Sequence, residues 1–517
     1  MTISVLVIIL LNNLILFIQR AVSMPCTDHP YHLGLIHGIR NNGHRFLTKY
    51  PNIIGEKNFA YPQLLHWILS FLPKSFLNSH YSVVGIVLNN LSLVLFLIYA
   101  TEIFHLTELN MSLHKFILYA GLFYCLTPFS WAIWNAKNSG ISARGLGLFL
   151  GYAYQFLILL YFYSENWSIL LLVFIIVFIT LLSSQFAFQY ILLTLPLYAI
   201  LYGNYYLLAL PFLAFIMFYI INKEIALNYF RGQYWHKTIY YRYLAKVYIH
   251  KMRPSIWRDL IYDIWIQIIK EPKRGILYAY GNPVISIVIA IPTLSYLTFY
   301  ILFHSQPSLN RYENLLFINI AIALIVFILT SLRQTRFLGE PERYVEFAIP
   351  SIVLLALIVS GDDNSSFKFI IAVSSALVVG QFMILYLKNK KKYGVQLSTL
   401  YKQVTDVIIE IKREHSELRI FSNNHQILKA VLDTNANVLL TNLTSFYTGG
   451  FSFTDIFPET YGKISENVIV GLITEFDIDC FILDPKKYNS GSIPHFEKIN
   501  FTEYYVNEDF IIYLRSS

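Results

Sequence analysis

The chain has 517 residues, of which 56% are hydrophobic and only 14% charged. Soluble enzymes carry roughly a quarter charged residues, so this composition excludes an ordinary soluble enzyme. The net charge of +8 comes without a basic helix or an RNA-binding signature. We therefore expect no nucleic-acid partner, and expect the basic side chains to contact phosphate-bearing membrane lipids.

Long apolar runs recur along the first three quarters of the chain, and most are near the ~20 residues that a helix needs to cross a bilayer. They cover approximately 2–18, 82–103, 114–134, 145–163, 168–183, 185–203, 205–222, 281–303, 314–332, 343–360 and 366–387. The first run lacks a basic start and a small-residue cleavage site, which favours a retained span over a signal peptide. The runs predict an α-helical polytopic membrane protein with about eleven spans. Three spans fit between 168 and 222 only if the chain turns tightly at Ser183-Ser184 and at Gly203-Asn204. If this stretch contained two spans instead, every later loop would lie on the opposite side of the membrane.

The connections between the runs are long on one face and short on the other. The long ones are 19–80, 135–144, 223–280 and 333–342, and the short ones are 104–113, 164–167, 304–313 and 361–368. In the loop 19–80, the segments Tyr31 to Ile39 and Gln63 to Phe71 have helical apolar spacing, and in the loop 223–280 Tyr, Trp and Ile recur among Lys and Arg. Both patterns predict helices lying in the membrane interface. A solvated loop is the alternative interpretation.

The composition becomes that of a soluble protein after a lysine cluster at 388–392. Helical patterns at 396–414, 424–433 and 464–475 alternate with strand-like runs at 418–422, 438–441, 480–483, 498–506 and 510–515. Alternation of this kind predicts a small α/β domain. We therefore expect a membrane module, 1–392, followed by a soluble α/β domain, 393–517.

The densest polar cluster follows the first run and contains Asp28, His29 and His32. Asp28 and His32 are four residues apart, so they share a face if the segment is helical. An acid and two imidazoles at a membrane surface can act as a general base, as metal ligands or as polar anchors. Tyr61 and His66 follow in the same loop, and together with His29 and His32 they are candidate substrate-binding residues.

Two further groups of charges lie on the same face. Six charged residues stand at the mouth of a late span: Arg333, Arg336, Glu340, Glu342, Arg343 and Glu346. The planar fork of arginine suits phosphate, whereas internal salt bridges that cap two helices are the alternative. Lys137 and Arg144 flank a shorter turn, where cations meet lipid phosphate more often than substrate.

The segments DHPYHLGLIHGIRNNG and YPQLLHWILSFLP resemble the first external loop of GT-C membrane glycosyltransferases. The segments SARGLGLFLGY, FLGEPERY and FTEYYVNEDFIIYLR are similar to bacterial and archaeal members of that superfamily. The resemblance implies inverting transfer of a sugar from a polyprenyl-phosphate-linked donor to a glycan, lipid or protein acceptor. The resemblance implies that Asp28 is the catalytic base. It also implies that the departing phosphate is stabilised by nearby cations, from Arg336, Arg343, Arg144 or Lys137.

No cofactor or metal site is predicted from these motifs. Many GT-C enzymes work without metal, but the oligosaccharyltransferase branch uses a divalent cation, so metal dependence stays open. The acidic motifs of that branch are not recognised in this chain.

The two indications of sidedness conflict. The long loops contain 21 Lys and Arg and the short loops 2, leaving aside Lys115 and Arg343 as marginal. The positive-inside rule would place the long-loop face in the cytoplasm, whereas the resemblance places it outside. We expect a multi-pass protein of the plasma membrane with an extracytoplasmic active face, whose basic residues hold lipid phosphates.

Other functions remain as alternatives. A polysaccharide polymerase or ligase acting on lipid-linked glycans would have the same basic loops without needing Asp28 as a base. A transporter or lipid flippase usually has internal repeats and charges at the bilayer midplane, which this chain lacks in its apolar runs. A scaffold or receptor role is a further alternative.

Overall fold

The structure is a computed structural model. It describes residues 2–22, 29–50, 52–54, 61–107, 109, 111–128, 141–239, 256–272, 275, 279, 282–303, 309–332, 334–361, 364–392, 396–424, 427, 431, 434, 436–439, 464–488 and 494–516. These residues form two compact units. Unit 1 comprises Met1–Cys26, Ser79–Ile221 and Tyr240–Lys391, and unit 2 comprises Thr27–Asn78, Asn222–Ile239 and Lys392–Ser517.

Most of the described residues are helical. In chain order the main helices are α1 (Thr2–Val22), α2 (His29–Asn41), α3 (Leu64–Ser70), α4 (Lys74–Leu106), α5 (Leu113–Cys125), α6 (Ala143–Ser164), α7 (Trp167–Ser183), α8 (Gln185–Tyr202), α9 (Ala209–Ile221), α10 (Lys223–Ile239), α11 (Ile264–Lys270), α12 (Pro283–Ala290), α13 (Pro292–Phe303), α14 (Arg311–Ser331), α15 (Glu342–Glu346), α16 (Ile349–Ser360), α17 (Asn364–Lys392), α18 (Gln396–Glu414) and α19 (Glu466–Phe476).

Apolar helices coincide with the predicted runs, but not all of them reach the length of a span. Within the described residues six helices are long and apolar enough to cross a membrane, or seven if the bent pair α12–α13 is one span. Four more apolar helices are shorter: Leu113–Cys125, Trp167–Ser183, Tyr205–Ile221 and Ile349–Ser360. The chain is a helical membrane protein, and the count of about eleven spans stays a prediction.

Two of the runs differ in shape from the straight spans that the sequence predicts. The run 281–303 is two helices that meet at 90°. Pro292 starts the second helix and has no backbone N–H to continue the first. The run 343–360 contains a short helical turn, α15, before α16 begins at Ile349, with Pro350 in its first turn. The expected tight turns are present, since Ser184 caps α8 and Gly203 ends it with a φ of 64°.

Polar side chains join helices inside unit 1. The Asn12 amide donates to Asn89 Oδ1 at 3.1 Å and to Asn90 Oδ1 at 2.9 Å, which ties α1 to α4. Tyr198 donates to Asn319 Oδ1 at 2.5 Å, and Asn319 donates to Ser351 at 2.7 Å, which links α8, α14 and α16. Such hydrogen bonds hold helices together where lipid supplies no hydrophobic driving force.

Unit 2 contains the predicted α/β layer. Its strands are β1 (Arg419–Ser422), β2 (Asn437–Leu439), β3 (Cys480–Leu483), β4 (Phe501–Val506) and β5 (Ile511–Arg515), in the spatial order β2-β1-β3-β5-β4. The first three strands in this order are parallel, and β5 and β4 continue the sheet antiparallel. Of the expected helix 424–433, only positions 424, 427 and 431 lie within the described residues.

The first loop completes the core of this sheet. Leu35, Ile39, Leu47 and Tyr50 are buried in one cluster with side chains of α18 and the sheet. A short parallel bridge joins the loop to β2, because Val438 donates its N–H to Asn52 at 2.7 Å and accepts from Ile54 at 2.9 Å. The boundary that composition predicts near 392 is where the last of the three segments of unit 2 begins.

This shared core predicts that residues 393–517 need the first loop to fold stably. We expect the isolated segment 393–517 to unfold at lower temperature than a protein in which residues 27–78 are fused to it by a flexible linker. Ile39→Ala in the fused protein should lower the free energy of unfolding by ~2–4 kcal/mol, since it empties a fully buried site. Thermal unfolding followed by circular dichroism measures both effects, and equal melting temperatures with and without 27–78 would contradict the shared core.

Candidate functional site

Three residues that the sequence predicts as substrate-binding meet in one cluster of unit 2. His32, Tyr61 and His66 form this first-loop cluster. His32 Nδ1 and His66 Nε2 are 2.8 Å apart, and the two imidazoles are stacked with centroids separated by 5.1 Å. The Tyr61 ring lies 5.7 Å from the ring of His32 and 5.6 Å from that of His66. The cluster therefore connects α2, which carries His32, with α3, which carries His66.

Two long side chains form hydrogen bonds with backbone groups and so set the position of α3 against α2. The Gln63 amide accepts from Leu47 N–H at 2.7 Å and donates to Leu47 O at 2.8 Å, as a neighbouring strand would. The Arg40 guanidinium donates to the Ser70 carbonyl at 3.0 Å and to that of Leu72. Ser70 is the last residue of α3, so a cation at its carbonyl also complements the helix dipole.

The two imidazoles of the cluster are almost inaccessible to solvent, with 4% of His32 and 0% of His66 exposed. Burial, together with the neighbouring His32, holds the pKa of His66 well below its usual value of 6.5. A neutral pair can share one hydrogen bond, in which one ring donates and the other accepts. This arrangement acts as a polar anchor between two helices.

The late charged cluster of unit 1 is organised around a turn. We define residues 334–346 as the late-loop segment. Gly339 adopts a φ of 112°, a conformation that side-chain-bearing residues rarely take. The Leu338 carbonyl before it accepts from Gln189 Nε2 at 2.5 Å and from the Tyr344 hydroxyl at 2.8 Å. These bonds fix the turn to α8.

Within the late-loop segment, Arg343 forms an ion pair with Glu340, three residues before it. The Arg343 guanidinium also lies 5.7 Å from the centre of the Phe186 ring, within reach of a cation–π interaction. Glu342 and Glu346 are buried, and Arg336 begins a short 3-10 turn, Arg336–Leu338. The pair Glu340–Arg343 matches the salt-bridge interpretation of this cluster, and it leaves the phosphate-binding role a prediction.

The remaining predicted residues are not brought together within the described part of the chain. Asp28 and Lys137, like Arg333, lie outside the described residues. His29 is the first residue of α2, directly after Asp28. Arg144 lies in the first turn of α6, where its backbone N–H donates to Ser142 Oγ at 3.2 Å. The roles predicted for them stay predictions.

One polar residue of unit 1 escaped the sequence analysis. Asp259 is buried, and its Oδ2 accepts a hydrogen bond from the Asn282 amide at 2.9 Å. Asp259 stands among aromatic and basic residues and belongs to no recognised motif, so its sequence context did not mark it. The pair Asn282-Pro283, which opens α12 with a side-chain cap, was the only local signal near its partner.

Metal binding was left open by the sequence. Among the described ranges, no group of three or more His, Cys, Asp or Glu side chains is arranged to hold a metal ion. The described residues therefore do not fit a metal site, and we derive no step through a metal.

The lowered pKa of His66 makes unit 2 sensitive to acid. The unfolded chain protonates this imidazole near its usual pKa of 6.5, whereas the folded chain resists protonation. Its contribution to stability is therefore complete above the unfolded pKa and decreases as the pH falls below it. We expect the melting temperature to fall between about pH 7 and pH 5, and His66→Gln to reduce this dependence. The exposed His495, changed to Gln, is the matched control, and an unchanged pH dependence in His66→Gln would contradict the assignment.

Comparisons with known proteins identify the fold. No family model and no curated protein matches the chain. The Archaeoglobus fulgidus oligosaccharyltransferase in its apo form is similar in structure, with a TM-score of 0.54 and 11% identity over 93% of this chain and 70% of that one. The same enzyme with a tethered acceptor peptide containing the NVT sequon gives a TM-score of 0.51 and 11% identity over 92% and 69%.

A third structure, the archaeal oligosaccharyltransferase AglB from Archaeoglobus fulgidus with an inhibitory peptide and a dolichol-phosphate, has a TM-score of 0.49. The TM-scores of 0.54 and 0.51 show a common fold. A sequence identity of 11% is too low to carry the activity over to this chain. The chain therefore shares the fold of this archaeal oligosaccharyltransferase, in agreement with the fold that the resemblance to GT-C membrane glycosyltransferases predicted.

Proposed function

We propose that this protein is a membrane glycosyltransferase that transfers a sugar from a polyprenyl-phosphate-linked donor, with inversion at the anomeric carbon. The observation that carries the proposal is a GT-C fold that extends over 93% of the chain. The motifs around Asp28 and in the late-loop segment support it independently. We further propose a plasma-membrane location with the long-loop face outside the cytoplasm.

Asp28 is the base in this proposal. Its carboxylate takes the proton from the acceptor while the acceptor oxygen or nitrogen attacks the anomeric carbon. The bond between that carbon and the phosphate oxygen breaks, and the lipid phosphate leaves with the electron pair. General-base catalysis of this kind contributes typically 10²–10⁴-fold.

The leaving phosphate requires compensation for its negative charge. Arg343, Arg336, Arg144 and Lys137 are the cations that the resemblance assigns to this task. Arg343 is preorganised, because Glu340 and the Phe186 ring restrict its guanidinium. A cation that is already oriented stabilises developing charge without reorganisation during the reaction.

The first-loop cluster supports Asp28 indirectly. His32 lies one helical turn after the start of α2, and His66 and Tyr61 hold it from the other side. His29 directly follows Asp28, and we keep its predicted contact with substrate as part of the proposal. These contacts anchor α2, the helix that follows Asp28 in the sequence.

A polypeptide is the acceptor that we favour. One of the structures similar to this chain, at a TM-score of 0.51, contains an acceptor peptide with an NVT sequon. A glycan or a lipid acceptor is distinguished from a peptide in the same assay. Transfer to a lipid-linked glycan would favour the polymerase or ligase alternative.

Asp28→Asn tests the proposed base. We expect purified wild-type protein to release polyprenyl phosphate from a panel of polyprenyl-phosphate sugars when an NVT-containing peptide, a glycan or a lipid is supplied. The variant should lower the rate by at least ~10²-fold, because the amide cannot take up the acceptor's proton. Asp406→Asn, which changes an exposed carboxylate of α18, should leave the rate unchanged.

The variant must keep its melting temperature and its affinity for the donor, so that the loss belongs to the chemical step. Equal rates in Asp28→Asn and wild type would contradict the role of Asp28 and favour a polymerase or ligase mechanism. Uptake of donor into protein-containing vesicles without release of lipid phosphate would favour transport.

Arg343 and Glu340 distinguish a phosphate-binding cation from a structural salt bridge. If the pair only supports the turn, Arg343→Gln and Glu340→Gln should lower kcat/KM equally, since either breaks the same ion pair. If Arg343 stabilises the leaving phosphate, its loss should cost at least about tenfold more than the loss of Glu340. Steady-state kinetics of both variants decides between them, and equal losses would exclude Arg343 from the reaction.

A further inference from the structure

Asp259 lies on a break in the helical loop segment of unit 1. A single helical turn, Ile256–Arg258, is followed by a π-helical turn, Asp259–Asp263, and then by α11. Ile256, Asp259 and Ile264 are buried, whereas the other face of the segment exposes large apolar side chains. These are Ile261, Tyr262, Trp265 and Ile269. The segment therefore presents an apolar face outward and directs one carboxyl group inward.

The hydrogen bonding of Asp259 is incomplete. Its Oδ2 accepts from Asn282 Nδ2 at 2.9 Å, and the same amide donates to the Ile256 carbonyl at 3.0 Å. Asn282 uses its own oxygen to cap α12 by accepting from Val284 N–H at 3.0 Å. Asp259 is only 7% exposed, and its Oδ1 is buried with no hydrogen-bond partner among the residues that the structure describes.

A buried carboxyl oxygen without a partner costs folding free energy, because it has lost its hydrogen bonds to water. The π turn that carries Asp259 is a second unfavourable feature, since such turns are rare and are found frequently at functional sites. Two unfavourable features at one residue indicate a role other than stability.

Asp259 lies at the same end of unit 1 as the late-loop segment. Trp257, two residues earlier, donates its indole N–H to Ser331 Oγ at 3.1 Å, at the last residue of α14. Asn282, which holds Asp259, caps α12, and α12 packs against α15 of the late-loop segment. The carboxyl group is thus close to the segment to which the resemblance assigns the phosphate of the donor.

Among the described residues, the contacts of the carboxyl group favour an uncharged hydrogen-bond donor. Its bonded neighbour is an amide, and the nearest aromatic side chain in sequence is an indole. Arg258 of the same segment is largely exposed and lies 3.8 Å from Asp263 instead. A carboxyl group that faces an amide on one side and has its other oxygen buried suits the hydroxyl groups of a sugar ring, which donate hydrogen bonds.

We infer that Asp259 binds the sugar of the donor, and that its second oxygen accepts a hydrogen bond from a sugar hydroxyl group. The inference rests on the proposed function, because it names the residue that would recognise the sugar of a polyprenyl-phosphate donor. Asn282 orients the carboxyl group and is a positioning residue. The role of Asp259 differs from that of Asp28, since no proton is transferred to it.

Asp259→Asn isolates the second oxygen. The variant keeps an oxygen that accepts from Asn282 and replaces only the second oxygen, which has no partner among the described residues, with an NH2 group of similar size. Asp263→Asn is the matched control, because it changes a partly exposed carboxyl group on the same π turn. The measurement is the melting temperature of the full-length protein in detergent, alone and with two probes: polyprenyl phosphate, and polyprenyl phosphate carrying a hexose.

We expect the hexose-bearing lipid to stabilise wild type and Asp263→Asn more than the sugar-free lipid does. Asp259→Asn should lose this difference, with affinity for the hexose-bearing lipid reduced about tenfold or more and affinity for the sugar-free lipid retained. Without ligand, Asp259→Asn should melt close to the wild-type temperature, because one buried polar group is exchanged for another of the same shape at a position without a partner among the described residues.

Three results would overturn the inference. They are retention of the sugar-dependent shift in Asp259→Asn, a lower melting temperature of the unliganded variant, which would reveal a structural partner, and no sugar-dependent shift in wild type. Failure of the proposed function has a different signature. In that case wild type binds the hexose-bearing lipid through Asp259 but releases no lipid phosphate from it with any acceptor.

Discussion

Burial of the first loop in the core of the C-terminal sheet is the interaction on which the rest of unit 2 depends. Leu35 and Ile39 of α2 are fully buried together with Ile408 of α18 and Ile420 of β1, which come from the last quarter of the chain. Removal of such side chains from water contributes roughly 25 cal/mol per Å² of apolar surface. This burial fixes α2, the helix that follows the proposed base Asp28 in the sequence.

The hydrogen bond between His32 and His66 fixes how α2 and α3 pack against each other. Apolar contacts alone would allow α2 and α3 to slide, whereas the hydrogen bond between His32 and His66 has a narrow range of acceptable geometry. Burial keeps the pKa of His66 low, so the pair forms one hydrogen bond at neutral pH instead of repelling as two cations. The same residues that the sequence marks for substrate binding therefore have an evident structural task.

Unit 1 uses polar side chains in a comparable way. Gln189 of α8 and Tyr344 share the Leu338 carbonyl, so the late-loop segment is held in place by a span. Its arginine, Arg343, is neutralised by Glu340, whereas Asp259 at the same end of the unit has one carboxyl oxygen without a partner among the described residues. The ion pair of Arg343 is therefore tested by the kinetics of both partners, whereas the buried oxygen of Asp259 leads to a ligand-binding experiment.

The sequence determined the fold class, most helix positions and the strands of the C-terminal sheet. Apolar run length, helical spacing and turn residues such as Gly203 and Ser184 depend on neighbours in the chain, so each can be recognised locally. The bend before Pro292 and the late start of α16 were missed, although a proline stands at both, because a run of apolar residues does not reveal where a helix breaks inside it.

Only the tertiary structure decided which polar side chains meet. The pairing of His32 with His66, the inclusion of Leu35 and Ile39 in the C-terminal core and the partial satisfaction of Asp259 join residues far apart in the chain. Within each segment these residues form no distinctive pattern, so their contacts cannot be predicted from the local sequence. Long-range contacts depend on how whole helices pack, and that packing is set by the sum of many small burial energies spread over the entire chain.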